Sequence, residues 1–217
     1  MNLLIVSLAP VFIIVGYIYF RDKYEKEPIR LLLLALLCGA LTVIPVLFIE
    51  QLLSSFTPLF PGLISAAWNA FAVAGFTEEL CKYTALYLLI WKSPDFNEKF
   101  DGIVYAVFVS LGFAGVENIL YVSQGGLSTG ISRALTAVPA HAIFGVTMGF
   151  YFGMAKFFEK ERSILKRKAL LYPMLLHGIY DFILFTGIAW LTIVFLAFLG
   201  FLYYSAFKRL KNLSRTI

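Results

Sequence analysis

Seven long apolar runs alternate with short polar segments along the chain, at residues 3–20, 30–53, 63–91, 102–122, 134–155, 169–186 and 188–207. A helix that crosses a bilayer needs about 20 largely apolar residues, within a working range of about 17–25, so each run predicts one span. The run 63–91 is long and predicts a helix that tilts or emerges at one end. The last two runs are divided only by Thr186-Gly187, which predicts a tight antiparallel pair. No connector exceeds about 13 residues, which leaves no room for a separate soluble domain. Residues 1–20 carry neither a basic start nor an Ala-x-Ala cleavage site, so the first run predicts an uncleaved helix. The expected fold class is therefore all-α: a polytopic membrane protein with about seven transmembrane helices, forming one domain over residues 1–217.

Composition strengthens that reading. Hydrophobic residues make up 60% of the 217 and charged residues 14%, and mean hydropathy is +0.84. A soluble domain carries roughly 25% charged residues, and a core of this size could not bury so much apolar surface. Disorder and a disulfide scaffold are excluded too; the two cysteines, Cys38 and Cys81, both lie inside apolar runs and read as packing residues.

A net charge of +5 would suit nucleic acid, but the positions of the charges argue against that partner. Lysine and arginine cluster in loop 21–30 (Arg21, Lys23, Lys26, Arg30), loop 92–101 (Lys92, Lys99), loop 156–168 (six residues) and the tail (Lys208, Arg209, Lys211, Arg215). The alternate loops 54–62, 123–133 and 186–187 contain only Arg133. The positive-inside rule places the N-terminus outside and the C-terminus in the cytoplasm.

Ionisable groups at membrane depth are costly and mark functional sites. The apolar runs retain Glu50, Glu78, Glu79, Lys82, Glu117, Asn118, His141, His177 and Asp181, including both histidines of the chain. Glu50 stands near the outer end of its helix and reads as reaching the interface. Lys82 is four residues from Glu78 and three from Glu79, so its ammonium can neutralise either carboxylate. Phe113 and Glu117 share the i,i+4 spacing, as do His177 and Asp181, where the carboxylate can orient an imidazole. Rows of small residues mark packing faces: Ala66, Ala70 and Ala74 lead to Glu78 and Lys82; Ala106, Ser110 and Ala114 to Asn118; and Ala137, His141, Gly145, Gly149 and Gly153 form one line. At 1.5 Å per residue these polar groups converge between the midplane and the outer leaflet, which predicts a wet cavity opening outward.

Such a set can activate water, one carboxylate or imidazole taking its proton while another polar group stabilises the oxyanion. No serine or cysteine nucleophile stands in a recognisable setting, and no zincin, nucleophile-elbow or nucleotide fingerprint occurs. An ion- or proton-coupled transporter, or a non-catalytic membrane sensor, would also use buried Glu, Asp and His. Against a transporter, the chain shows no inverted repeat and no broken helix pair.

Glu78-Glu79-Leu80-Cys81-Lys82 fits an EExxK pattern, Phe113 to Glu117 fits FxxxE, His177 to Asp181 fits HxxxD, and Pro139-Ala140-His141 lies between them. This ordered set resembles the PrsW family of multi-pass membrane proteases, distant relatives of the CAAX-processing and bacteriocin-processing membrane proteases. The CAAX-type enzymes have His in place of Glu117 and Asn in place of Asp181. The resemblance implies a peptidase of the bacterial plasma membrane that makes the site-1 cut in a single-span anti-sigma factor of the RsiW type. That cut falls on the extracytoplasmic side, and a site-2 intramembrane protease then acts on the product. It also implies roles. Glu78 or Glu79 is the general base and Glu117 a water-activating partner; His177 with Asp181 holds the oxyanion, and His141 is a second oxyanion donor or a ligand. Lys82, Phe113 and Asn118 support them. The expectation is a glutamate-type enzyme with no cofactor, the alternative being a zinc metalloprotease that uses Glu78, Glu117, His141 and His177.

Overall fold

The computed structural model describes residues 3–22 and 25–213; Lys23 and Arg215 of the basic clusters lie outside the described residues. The described residues are helices joined by short turns: α1 (Leu3–Arg21), α2 (Ile29–Ser54), α3 (Gly62–Ala67), a π-helical stretch (Trp68–Phe76), α4 (Thr77–Ile90), α5 (Asp101–Leu135), α6 (Ala137–Phe157), α7 (Arg162–Phe185) and α8 (Leu191–Leu213). Pro10, Pro45 and Pro173 lie within helices. Apolar helices tolerate proline because packed neighbours absorb the freed backbone groups.

Five stretches are long and apolar enough to cross a membrane: Leu3–Arg21, Ile29–Leu59, Asp101–Phe157, Glu159–Phe185 and Leu191–Leu213. The seven expected crossings do not all appear separately, for two reasons. Asp101–Phe157 contains both α5 and α6, which are parted only at Thr136. The expected third span is divided into pieces of 6, 9 and 14 residues by its π-helical centre. Large apolar side chains such as Phe12, Ile13, Phe20, Leu88 and Ile193 point outward, as lipid-facing residues do.

The connectors rich in lysine and arginine gather at one end of the bundle. Asn97 donates to Glu25 across two of them at 3.2 Å. Lys156 donates to the carbonyl of Trp91 at 2.8 Å, and the Lys166 ammonium lies 3.7 Å from the Trp91 ring centre.

Helix α5 runs through the centre, with residues 101–115 all buried, and α1, α2, α4 and α6 pack around it. The glycine line of α6 faces it as expected. A Cβ on Gly149 would sit 2.5 Å from the Cα of Ile103, and one on Gly145 would sit 2.8 Å from Ser110 Oγ, so only glycine permits this approach. Helix α8 rests on α6 as well as on α7, so it is not paired with its sequence neighbour alone.

Two local features shape the site. In the π-helical stretch the hydrogen bonds reach one residue further than in an α-helix, and the Thr77 hydroxyl accordingly donates to Ala72 O at 3.4 Å, five residues back. The small-residue row drawn at four-residue steps still leads into the site, since Ala74 and Glu78 both border the cavity.

The second feature is a reversal in α5. The expected helix 102–122 and loop 123–133 are instead one helical element broken at Gly126, whose φ of 70° is a left-handed value open to glycine. The chain doubles back there. Residues 117 and 133 would stand about 24 Å apart on a straight helix, yet their side chains are in contact at 2.6 Å.

Candidate functional site

Thr77 opens α4 directly after the π-helical stretch, and Glu78 and Glu79 follow in its first turn. Both are buried, as is Lys82 one turn on; Glu79 and Lys82 have no exposed surface. The Lys82 ammonium donates to Glu78 Oε2 at 3.0 Å and to Glu79 Oε1 at 2.8 Å, the pairing expected from their spacing. It also lies 3.2 Å from His141 Nδ1 on α6 and 4.1 Å from the ring centre of Phe113 on α5, which closes off its other side.

The two histidines are held alike. His141 presents Nε2 to Glu117 Oε2 at 2.9 Å and turns Nδ1 to Lys82. His177 on α7 presents Nε2 to Asp181 Oδ2 at 3.2 Å and turns Nδ1 to Glu79 Oε1 at 3.0 Å. Each imidazole thus has a carboxylate of its own behind it and its other nitrogen on a common centre. The rings meet edge to face with centroids 5.3 Å apart, and Phe144 stacks on His177 at 4.9 Å.

Ligand atoms of Glu78, Glu79, His141 and His177 all lie within 4.8 Å of one another. Four helical segments supply these groups and their partners, so the site exists only in the packed bundle. Above it opens a cavity of about 680 Å³, bordered by Glu78, Glu117, His141, His177 and Asp181 and walled by apolar residues such as Val43, Val46 and Phe195. Most of its lining comes from the C-terminal ends of α2, α5 and α7 and the start of α6, the end of the bundle opposite the basic connectors.

The expected residues converge, with three differences. Glu117 does not join the four clustered donors, because its carboxylate is taken by Arg133 and by the outer nitrogen of His141; Glu79 stands in the place that the alternative zinc set gave to Glu117. Asn118 turns away from the cavity: its amide donates to Ser7 O on α1 at 2.8 Å, and its carbonyl accepts from Arg133 Nε at 2.9 Å. Glu50 borders the cavity, so it does more than reach the interface.

The residue missed outright is Arg133, read from sequence only as a loop charge. Its Nη2 donates to Glu117 Oε2 at 2.6 Å, and its guanidinium lies 4.0 Å from the Tyr121 ring centre. The Gly125-Gly126 pair near the start of the expected loop 123–133 was the signal of a reversal, but spacing could not say where the returning segment would lie.

A resident metal can be tested against these residues. Glu79 Oε2 is buried and has no hydrogen-bond partner among the described residues. The donors are two carboxylates and two imidazoles, a set suited to zinc, and each imidazole has the outer carboxylate that metal-bound histidines characteristically have. The residues fit a metal, and the expectation of a centre without one finds no support in them.

Residues 27–207 match the family described as PrsW family intramembrane metalloprotease. The chain belongs to the PrsW family. It is 41% identical over 190 residues to a protein named Protease PrsW from Geobacillus kaustophilus, covering 87% of this chain and 82% of that one. The Protease PrsW of Bacillus subtilis is 37% identical over 207 residues, 95% and 93% of the two chains. That of Shouchella clausii is 37% identical over 216 residues, 99% and 98%. No solved structure matches the chain. Family and helices together make this a multi-pass membrane protein whose family acts as peptidases.

Proposed function

We propose that this PrsW-family chain is a membrane-embedded metallopeptidase that makes the site-1 cut in a single-span anti-sigma factor of the RsiW type, near the extracytoplasmic face of the bacterial plasma membrane. The observation that carries the reading is the convergence of Glu78, Glu79, His141 and His177 on one centre at the floor of the cavity. In this reading residues 1–217 form one domain crossing the membrane seven times, with the N-terminus outside. The product passes to a site-2 intramembrane protease.

Glu79 and the Nδ1 atoms of His141 and His177 would hold zinc. When bound, zinc supplies Lewis-acid polarisation of a carbonyl and a lowered pKa for its water. Glu78, which borders the cavity, takes the proton of the attacking water and returns it to the leaving amine. Glu117 and Asp181 keep a proton on the outer nitrogens of His141 and His177 and so aim the inner ones. Asp181 and His177 thereby act as orienter and ligand, in place of the oxyanion pair that the resemblance implied. Lys82 offsets the charge of the adjacent carboxylates, and Phe113 keeps water from its far side.

The test is purified protein in detergent with a single-span substrate, with and without a chelator. Cleavage that is lost on chelation and restored by zinc is expected; cleavage that persists after extended chelation would return the base role to Glu78 and Glu79 alone. A transporter or sensor would give no product in either arm. For topology, a reporter fused after Lys211 is expected in the cytoplasm and one in residues 123–130 outside.

A further inference from the structure

Arg133 is the one arginine at the cavity end of the bundle among the described residues, and the chain brings it there by a reversal of α5. Helix α5 breaks at Gly126 and returns along itself, so that Gly130 lies against Val122 and Val6, where a Cβ would come within 2.6 Å of Val6 Cγ1. The return carries Arg133 back beside Glu117. Its guanidinium is used on three sides: Nη2 donates to Glu117 Oε2 at 2.6 Å, Nε donates to Asn118 Oδ1 at 2.9 Å, and its face stacks on Tyr121. Asn118 is itself fixed to Ser7 O on α1. The planar fork therefore has one defined position, which a flexible ammonium would not have.

The oxygen that Arg133 grips is the same one that faces His141 Nε2 at 2.9 Å. That oxygen cannot rotate away without breaking the Arg133 bond. With Glu117 as acceptor, Nε2 must carry the ring proton, and Nδ1 is left with its lone pair toward the Lys82 ammonium.

We propose that Arg133 is a positioning residue that acts through Glu117, fixing the tautomer and direction of His141. The inference rests on the peptidase reading for its catalytic consequence, but its structural half is independent of it. Asp181 faces His177 Nε2 at 3.2 Å with no such cation in contact with it among the described residues. The chain fixes the two outer carboxylates unequally: Glu117 is gripped by a cation, and Asp181 is not.

The experiment uses the full chain in detergent, purified without a histidine tag. His141 and His177 are then the only imidazoles, and ¹⁵N spectra of the rings report each tautomer once His177→Ala has assigned them. In the unsubstituted chain His141 is expected as the Nε2–H form. In Arg133→Ala it is expected to lose that single form, and kcat on a single-span substrate to fall about 10–100-fold, with KM changed by no more than about twofold. Arg133→Lys returns the charge beside Glu117 but neither the fixed fork nor the bond to Asn118, and is expected to restore the tautomer and kcat only in part. If Arg133→Ala does not fold, Asn118→Ala, which frees one prong of the fork, is expected to show the same changes in smaller measure. An unchanged His141 tautomer in Arg133→Ala overturns the proposal; with KM raised and kcat kept, it would make Arg133 a substrate contact instead. A folded but inactive unsubstituted chain would sink the peptidase reading and leave the tautomer result to decide this one.

Discussion

The bundle buries carboxylates at both ends, and the two groups are built on opposite principles. At the cavity end, Glu78, Glu79 and Glu117 each contact a cation or an imidazole: Lys82, His177, Arg133 and His141 stand 2.6–3.0 Å from them. At the basic-loop end, Asp22, Glu27 and Asp101 are also nearly fully buried, but their partners are hydroxyl, amide and one another. The Tyr105 hydroxyl donates to Glu27, and the backbone N–H groups of Asn97 and Glu98 donate to Asp101 Oδ2 at 3.0 and 2.6 Å. The ammonium of nearby Lys26 donates to the carbonyls of Tyr19 and Asp22. Burial pushes Glu27 up to about 9 and Asp22 up to about 6. The Glu27 carboxyl is therefore neutral at ordinary pH and serves as a hydrogen-bonded tie between the α1–α2 connector and α5. Buried carboxylates become chemistry where cations keep them in ion pairs beside an open cavity, and Glu27 becomes structure where burial keeps its proton in place.

Substitutions at the two ends should separate these principles. The largest difference is expected in cleavage. Glu78→Gln removes the base and should lower kcat by about 10²–10⁴ while zinc is retained, whereas Glu79→Gln should lose zinc and cleavage together; Glu27→Gln should cleave normally. Full activity in both Glu78→Gln and Glu79→Gln would erase the distinction between the ends. Stability should diverge next. Lys82→Met leaves two carboxylates buried without their cation and should cost about 3–5 kcal/mol in unfolding measured in detergent at neutral pH.

The remaining predictions are smaller. His177→Ala should abolish cleavage, but Asp181→Asn should reduce it only about tenfold, because an amide can still accept from the outer ring nitrogen and orient the ring. The smallest effect is a slope. Glu27 holds its proton in the folded state up to about 9 and releases it near the ordinary 4.5 when unfolded, so the folded state binds more protons between those values. Its contribution is complete below the lower value and is lost as pH rises through the upper one. Thermal unfolding followed from about pH 5 to pH 10 should show stability falling with pH, and Glu27→Gln should flatten that fall. A slope of the opposite sign would mean that Glu27 is charged in the folded protein.

Much of this was legible from residue order. Apolar runs dictate helices because an unpaired backbone cannot lie in lipid, and the α1, α2 and α6 boundaries fall within a few residues of the runs that predict them. The pairing of Lys82 with Glu78 and Glu79, and of His177 with Asp181, follows from side chains three or four apart sharing a helix face. Those contacts are local, and local geometry is set by the helix itself.

The sequence by itself therefore determined the membrane helices, the polar inventory and the pairs within one turn. Only the tertiary structure decided what the pairs face. His141 lies 59 residues from Lys82 and His177 lies 98 from Glu79, and no periodicity relates positions on different helices. Which ring nitrogen points inward, and that Glu117 backs His141 in place of joining the clustered donors, depended on how closely α5 and α6 approach at Gly145 and Gly149. The reach of Arg133 depended on one backbone angle at Gly126. A single glycine torsion turned a residue that looked like an external loop charge inward, because reversing a helix moves every later side chain by the full length of the return.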